Sequence, residues 1–254
     1  MINIKTQEEI KLMSEGGEIL AGVMDKVLSY IKVGVSEIEL DKLAQDLILE
    51  KGGRPAFKMV KNYNHTLCIS TNDAVVHGVP SIYKFKEDDV VGIDCGVYFK
   101  GFNVDAAWTI IVENGKLKVE NDEKRKFLQT GERALEEAVK MAKVGNRVGH
   151  ISKTIQDTVE GNGYSVVRSL VGHGVGRKLH EEPEVPGFIN SRINETPLLK
   201  EGMTIAIEVI YNMGKSDVIY KGSDNWTIRT ADGSISGLFE STVAITEDGP
   251  IILT

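Results

Sequence analysis

Three carboxylates interrupt strand-like apolar runs in this chain. Asp94 sits in Val90-Val91-Gly92-Ile93-Asp94-Cys95, and Glu208 in Ile205-Ala206-Ile207-Glu208-Val209-Ile210. Glu240 stands in Leu238-Phe239-Glu240, just ahead of Val243-Ala244-Ile245. Acidic residues are depleted in strands and are rarely buried without a partner, so several at once ask for a shared explanation. A fourth acid supplies one. A hairpin centred between Phe99 and Lys100 pairs residues whose numbers sum to 199, and Asp94 and Asp105 meet that condition. Their Cβ atoms would then lie about 4.5–5.5 Å apart on one face. Like charges that close require either a retained proton or a cation between them. With Glu208 and Glu240 added, four carboxylates carry the charge that two divalent ions neutralise. The competing reading is that the register is wrong and the acids are solvated.

Five histidines occur, at positions 65, 77, 150, 173 and 180. His77 follows Val75-Val76 and precedes Gly78-Val79-Pro80, His173 lies between Gly172 and Gly174, and His180 opens His180-Glu181-Glu182-Pro183. These three are expected on turns rich in Gly and Pro, where the backbone can approach closely and the imidazole stays open to a ligand or metal. His150 falls in a helical stretch and reads as a structural or surface residue. A carboxylate-rich set with imidazoles and no required thiolate suits Mn²⁺, Fe²⁺, Co²⁺ or Zn²⁺. The residue types fit a two-metal hydrolase, whose ions activate a water and polarise a carbonyl.

The elements that must position these groups follow from periodicity. Apolar residues recur at helical spacing over 7–31, with Thr6 and Glu9 as a capping box. Ser36 and Glu39 open a second helix that runs to Glu50. Short β-type segments at 68–70 and 75–77 lead to a strand pair at 89–97 and 102–112. Helices at about 122–142 and 148–161 come next, and strands at 164–171, 203–212, 217–221, 225–230, 235–246 and 250–253 complete the chain. The order is helices then strands, twice. A shift of 111 residues places Lys32-Val33-Gly34 on Lys143-Val144-Gly145, Gln45-Asp46 on Gln156-Asp157 and Gly52 on Gly163, which implies an internal duplication. One domain over 1–254 is expected, built from halves of about 1–112 and 113–254 that meet at a cleft.

The bulk numbers exclude other classes. The 254 residues are 41% hydrophobic and 26% charged, with a formal net charge of −7. That is ordinary globular composition. No Lys/Arg block points to nucleic acid, and no apolar run approaches a membrane span. Two cysteines, Cys68 and Cys95, make no disulfide framework. The start MINIKTQEEIKLMSEGG is not a secretory signal, so a cytoplasmic protein is expected.

The ordered set of motifs resembles the type I methionine aminopeptidases in their short bacterial form. The segment from Ser70 to Pro80, then Asp94, Asp105, Gly172-His173-Gly174, His180-Glu181-Glu182-Pro183, Glu208 and Glu240, matches that family in order and spacing across essentially the whole chain. The resemblance implies an α+β pita-bread fold, with two pseudo-symmetric halves and a curved antiparallel sheet covered by helices. It implies two divalent metal ions held by Asp94, Asp105, His173, Glu208 and Glu240, with Glu208 also the general base. His77 would contact substrate near the scissile amide, and His180 would donate to the carbonyl oxygen. Tyr63, Cys68 and Trp226 would line the methionine side-chain pocket. The substrate would be the N-terminus of a nascent polypeptide, met near the ribosome by a monomeric enzyme. Val209 stands where the family usually has Pro, and Ser241 where it often has His, which bears on support of the ligands. The alternatives are an Xaa-Pro aminopeptidase or prolidase, which usually carries a large N-terminal domain, and a non-catalytic binding protein of the same fold, which typically loses ligands.

Overall fold

The computed structural model describes residues 2–113, 122–220 and 224–254. Four helices form where the caps and periodicity place them: α1 (Gln7–Tyr30), α2 (Glu37–Glu50), α3 (Asp122–Met141) and α4 (Val148–Glu160). At the start of α1, Glu9 N donates to Thr6 Oγ1 at 3.3 Å and Thr6 N donates to Glu9 Oε2 at 3.0 Å, closing a capping box. Ser36 N and Oγ both donate to Glu39 Oε2 ahead of α2.

The strands of the first half are β1 (Arg54–Pro55), β2 (Leu67–Thr71), β3 (Ala74–Val76), β4 (Val90–Phe99) and β5 (Phe102–Ile111). Those of the second are β6 (Ser165–Val166), β7 (Val171–Gly174), β8 (Glu181–Pro186), β9 (Thr204–Asn212), β10 (Val218–Tyr220), β11 (Ile228–Thr230), β12 (Ser236–Thr246) and β13 (Gly249–Ile252). The expected strand 217–221 thus appears as β10, and its last residue lies outside the described residues. The expected 164–171 strand is two short pieces, β6 and the start of β7. β8 stands where a turn is expected after His180.

The 111-residue offset recurs in the backbone. Gly34 and Gly145 have φ of +91° and +88°, and Gly52 and Gly163 have +78° and +85°. These are left-handed positions that favour glycine after a helix end. Ser36 and Arg147, also 111 apart, each form an isolated bridge, to Lys84 and Leu198.

Among the described residues the main sheet has ten strands, with β1-β4-β5-β12-β9-β7-β8 as its path, and every pairing is antiparallel. β10, β11 and β3 form a second, small sheet. Alternation along the long strands gives the main sheet two distinct faces. Val91, Ile93, Cys95 and Val97 of β4 pack with Met13, Leu20 and Val27 of α1. Ile205, Ile207, Val209 and Tyr211 of β9 pack with Phe127, Leu135 and Ala138 of α3. The opposite face carries Asp94, Asp105, Glu208 and Glu240. Val209 and Ser241 alternate with the two glutamates and so point away from the acid-bearing face.

The β4–β5 register corrects the expected one. Lys100 and Gly101, with φ of 45° and 97°, form the turn, and Phe99 faces Phe102. A two-residue hairpin turn with positive φ at both central positions matches strand twist, so its centre lies one residue later than expected. Paired numbers sum to 201. Asp94 therefore faces Ala107 and Asp105 faces Gly96. A two-residue slip preserves faces, so the acids remain diagonal neighbours on one side.

The two halves of the main sheet join at β5 and β12, whose ladder among the described residues is Glu240↔Ala107 and Ser241↔Ala106. Flanking this contact, two threonine hydroxyls replace backbone bonds. Thr242 Oγ1 accepts from Asp105 N and donates to Asp105 O, both at 2.9 Å. Thr109 Oγ1 accepts from Leu238 N at 2.9 Å and donates to Leu238 O at 2.7 Å. Thr242 is fully buried. Thr242→Val would leave two buried backbone groups unpaired and should lower stability by about 1–3 kcal/mol. Thr242→Ser should retain most of that stability. Urea denaturation of the metal-free protein measures both, and equal stability of the Val and Ser variants would contradict the role of the hydroxyl.

Candidate metal centre

Strand pairing sets the acids in two adjacent rows. In one row, Cys68 of β2 faces Asp94, Asp94 faces Ala107, Ala107 faces Glu240, and Glu240 faces Glu208. In the next, Asp105 is tied to Thr242, Thr242 faces Ala206, and Ala206 faces His173. Five strands thus deliver four carboxylates and an imidazole to one patch, with the small Ala107 and Ala206 among them. Donor atoms of Asp105, His173 and Glu240 lie within 4.8 Å of one another. His173 Nε2 lies 3.5 Å from Glu208 Oε1.

His173 is in a strand, not the expected turn. Its flanking glycines serve close approach instead: a Cβ on Gly172 would lie 2.5 Å from Ala206 O, and one on Gly174 would lie 2.2 Å from Glu182 O. His173 Nδ1 is 2.9 Å from Gly174 O. A carbonyl oxygen only accepts, so the proton resides on Nδ1 and Nε2 keeps a free lone pair toward the acids.

Asp94 Oδ1, Asp105 Oδ1 and Glu240 Oε1 are buried with no hydrogen-bond partner. Burial pushes all four carboxyls up. Asp105 rises to about 7 and Glu208 to about 8, Glu208 also through the charge of Asp105. Asp94 and Glu240 are raised well above the carboxylate range by burial and by the neighbouring acids. Burial, with His180 alongside, lowers His173 to about 4. Orphaned acceptor oxygens, mutual repulsion and a neutral imidazole are the conditions that divalent cations satisfy, and the donor set fits them.

All ten residues singled out in the sequence line one cavity of about 160 Å³: Tyr63, Cys68, His77, Asp94, Asp105, His173, His180, Glu208, Trp226 and Glu240. Tyr63 and Trp226 meet edge to face at 5.0 Å, and His77 stands against Trp226 at 6.4 Å. His77 adopts φ 54°, unusual outside glycine, at the end of β3. His180 is exposed at the mouth, its ring 4.3 Å from that of His173. The wider opening, about 610 Å³, shares His77, His173, His180 and Glu208 with the inner cavity. Phe57, Val60, Val76 and Leu179 also line the inner cavity and were not foreseen, because apolar residues on a short turn, a small strand and a loop carry no motif. His65 lies 3.6 Å from Asp41, and His150 Nδ1 accepts from Arg147 N at the start of α4. Neither lines the cavity.

An acid-lined, partly apolar pocket on a helix-backed antiparallel sheet defines a metal-dependent hydrolase. Residues 11–247 match the model of metallopeptidase family M24. The chain is 43% identical over 254 residues to the methionine aminopeptidase of Clostridium perfringens, covering 100% of this chain and 99% of that one. Its structure is similar to the crystal structure of the Thermotoga maritima methionine aminopeptidase, with a TM-score of 0.94, 39% identity and coverage of 100% and 99%. Against prolidase from Pyrococcus furiosus the TM-score is 0.77 and the identity 27%, and this chain spans 65% of that longer chain. The chain belongs to metallopeptidase family M24 and, within it, to the methionine aminopeptidases; its fold is the pita-bread fold of that family.

The raised carboxyl groups fix a pH dependence for the metal-free protein. A carboxyl whose folded pKa is raised contributes stability below its unfolded value near 4, and this is lost as pH rises through the folded value. For Asp105 and Glu208 the loss is completed through about 7 and about 8. Metal-free protein should melt about 5 °C lower at pH 9 than at pH 6, and saturating Mn²⁺ should reverse the trend by favouring the charged forms. Calorimetric scans at both pH values test this. A metal-free melting temperature that rises over the window would contradict the electrostatics of the site.

Proposed function

We propose that this chain removes the N-terminal methionine from polypeptides, preferably when the second residue is small. The observation that carries the reading is the joining of an apolar, aromatic and sulfur-lined pocket to a cluster of unpartnered carboxylates. Asp94, Asp105, His173, Glu208 and Glu240 would hold two divalent cations, drawn from Mn, Fe, Co or Zn. When bound, such cations would supply acidification of a water and polarisation of the scissile carbonyl. Glu208 accepts the proton of the attacking water. His180, at the mouth, donates to the carbonyl oxygen as negative charge develops there, a contribution worth about 3–4 kcal/mol where comparable donors have been removed. His77 lies against the scissile amide and assists proton transfer to the leaving amine. Burial and the neighbouring His180 push the His77 imidazole down, so it enters as a neutral hydrogen-bonding group.

Tyr63, Cys68 and Trp226 receive the methionine side chain. A thioether packs favourably against aromatic edges and sulfur. Burial pushes the Cys68 thiol up, with Asp94 adding to it, so it acts as an apolar wall and not as a nucleophile. The whole chain works as one catalytic unit, with the site at the junction of its two halves. It acts as a monomer in the cytoplasm, on nascent chains near the ribosome. Among the described residues no helix is long and apolar enough to cross a membrane.

The deciding experiment supplies metal-stripped protein with Mn²⁺, Fe²⁺, Co²⁺ or Zn²⁺ in turn and offers Met-Ala-Ser and Ala-Pro-Ser. Methionine release from the first peptide alone is expected. Cleavage of the second alone would assign a proline-directed activity instead. Asp105→Asn should lower methionine release by at least about 100-fold, since even residues that merely support ligands cost about 10–100-fold, while circular dichroism stays unchanged. Near-normal turnover in that variant would remove Asp105 from the ligand set.

A further inference from the structure

The bend that carries His180, residues 176–180, contains no helix or strand. A side chain at a site mouth must nonetheless stay within a fraction of an ångström of its working position. Two anchors hold the bend. From β5, Asn103 N and Nδ2 both donate to Gly176 O, at 2.7 and 2.9 Å, and Nδ2 reaches Arg177 O at 3.3 Å. The other anchor comes from the start of the chain. Lys178 N donates to Glu181 Oε1 at 3.0 Å, and Glu181 Oε2 accepts from Lys5 Nζ at 2.7 Å.

Both charged groups of this pair are buried, with side chains 3% and 1% exposed. Lys5 is itself fixed, since its backbone N donates to Gly202 O at 2.7 Å. It passes close to the bend: a Cβ on Gly176 would lie 2.4 Å from Lys5 Cε, so a side chain there would displace the lysine. Arg177 is further paired with Glu9 on α1. A buried ion pair is a poor source of net stability, because desolvation offsets the attraction, but it allows only one geometry. Glu181 directly follows His180, so fixing its carboxylate fixes the residue on which the imidazole stands.

We propose that Lys5, acting through Glu181, is a positioning residue that holds the 176–180 bend so that His180 faces the reacting carbonyl. The proposal rests on the reading of His180 as the carbonyl donor. Its signature is a loss in kcat with substrate affinity and metal binding intact, because Lys5 does not line the inner cavity that holds the acid cluster.

The test is a double-mutant cycle on Met-Ala-Ser with Lys5→Met, His180→Ala and the double variant, each with Mn²⁺ titrated by calorimetry so that rates refer to folded, metal-binding protein. Lys5→Met is expected to lower kcat about 10-fold, the scale of a lost supporting contact, with KM and Mn²⁺ affinity changed by less than about threefold. In the His180→Ala background it should lower kcat no further, since residues acting through one group are not additive. Loss by the same factor in both backgrounds, or no loss in either, would overturn the proposal. Wild-type kcat in His180→Ala alone would instead remove the donor role of His180, and this proposal with it. Removing one partner of a buried pair can unfold a protein, so Asn103→Ala, which loosens the same bend from β5 and keeps the ion pair, provides the second cycle. The same non-additivity with His180→Ala is expected there, and additivity would count against the bend as the route.

Discussion

Negative charge out of water is the constraint around which this molecule is arranged. Four carboxyl groups lie on one face of a sheet, and three of their oxygens have no hydrogen-bond partner. Without a cation the protein holds them by keeping protons on, which is why burial raises every one of them. With cations the same face becomes a favourable cage. The fold cannot relieve the repulsion by letting the acids swing apart, because each is fixed on a central strand with neighbours on both sides.

That rigidity depends on the other face of the sheet. The alternate residues of β4, β5, β9 and β12 pack under α1 and α3, so shifting any strand by one residue would bury its acid among helix side chains and expose its apolar set. Packing therefore enforces which acids face the pocket, while the seam between β5 and β12 sets how far apart they are. There the backbone ladder is short, and the hydroxyls of Thr109 and Thr242 span the flanks. The acid cluster and the join between the halves are thus the same place, as expected for a site built where two similar units meet.

The periphery is arranged on a different principle. His77 and Trp226 come from the small sheet, through β3 and the approach to β11, and His180 from a bend tethered to β5 and to the chain start. These groups line the pocket and its opening, and they sit on segments that depend on individual side-chain contacts.

The sequence by itself determined the local chemistry. Capping residues and glycines after helix ends set the boundaries of α1, α2 and α4 to within a residue or so, because caps act through contacts three or four residues apart. The acids inside apolar runs marked the strands that carry the acid cluster, since alternation tells which residues share a face. Parity alone survives a register error of two, which is how Asp94 and Asp105 were correctly placed together although the turn was centred one residue too early. Tertiary structure decided what depends on contacts between distant segments. The positive φ at Lys100 set the register, and the close approach of Gly172 and Gly174 to neighbouring backbone made His173 a strand residue. The seam threonines and the Lys5–Glu181 pair, 176 residues apart in sequence, have no local signature. A lysine near the start of a chain reads as solvated until the fold closes around it, because burial is a property of the packed molecule and not of the residue.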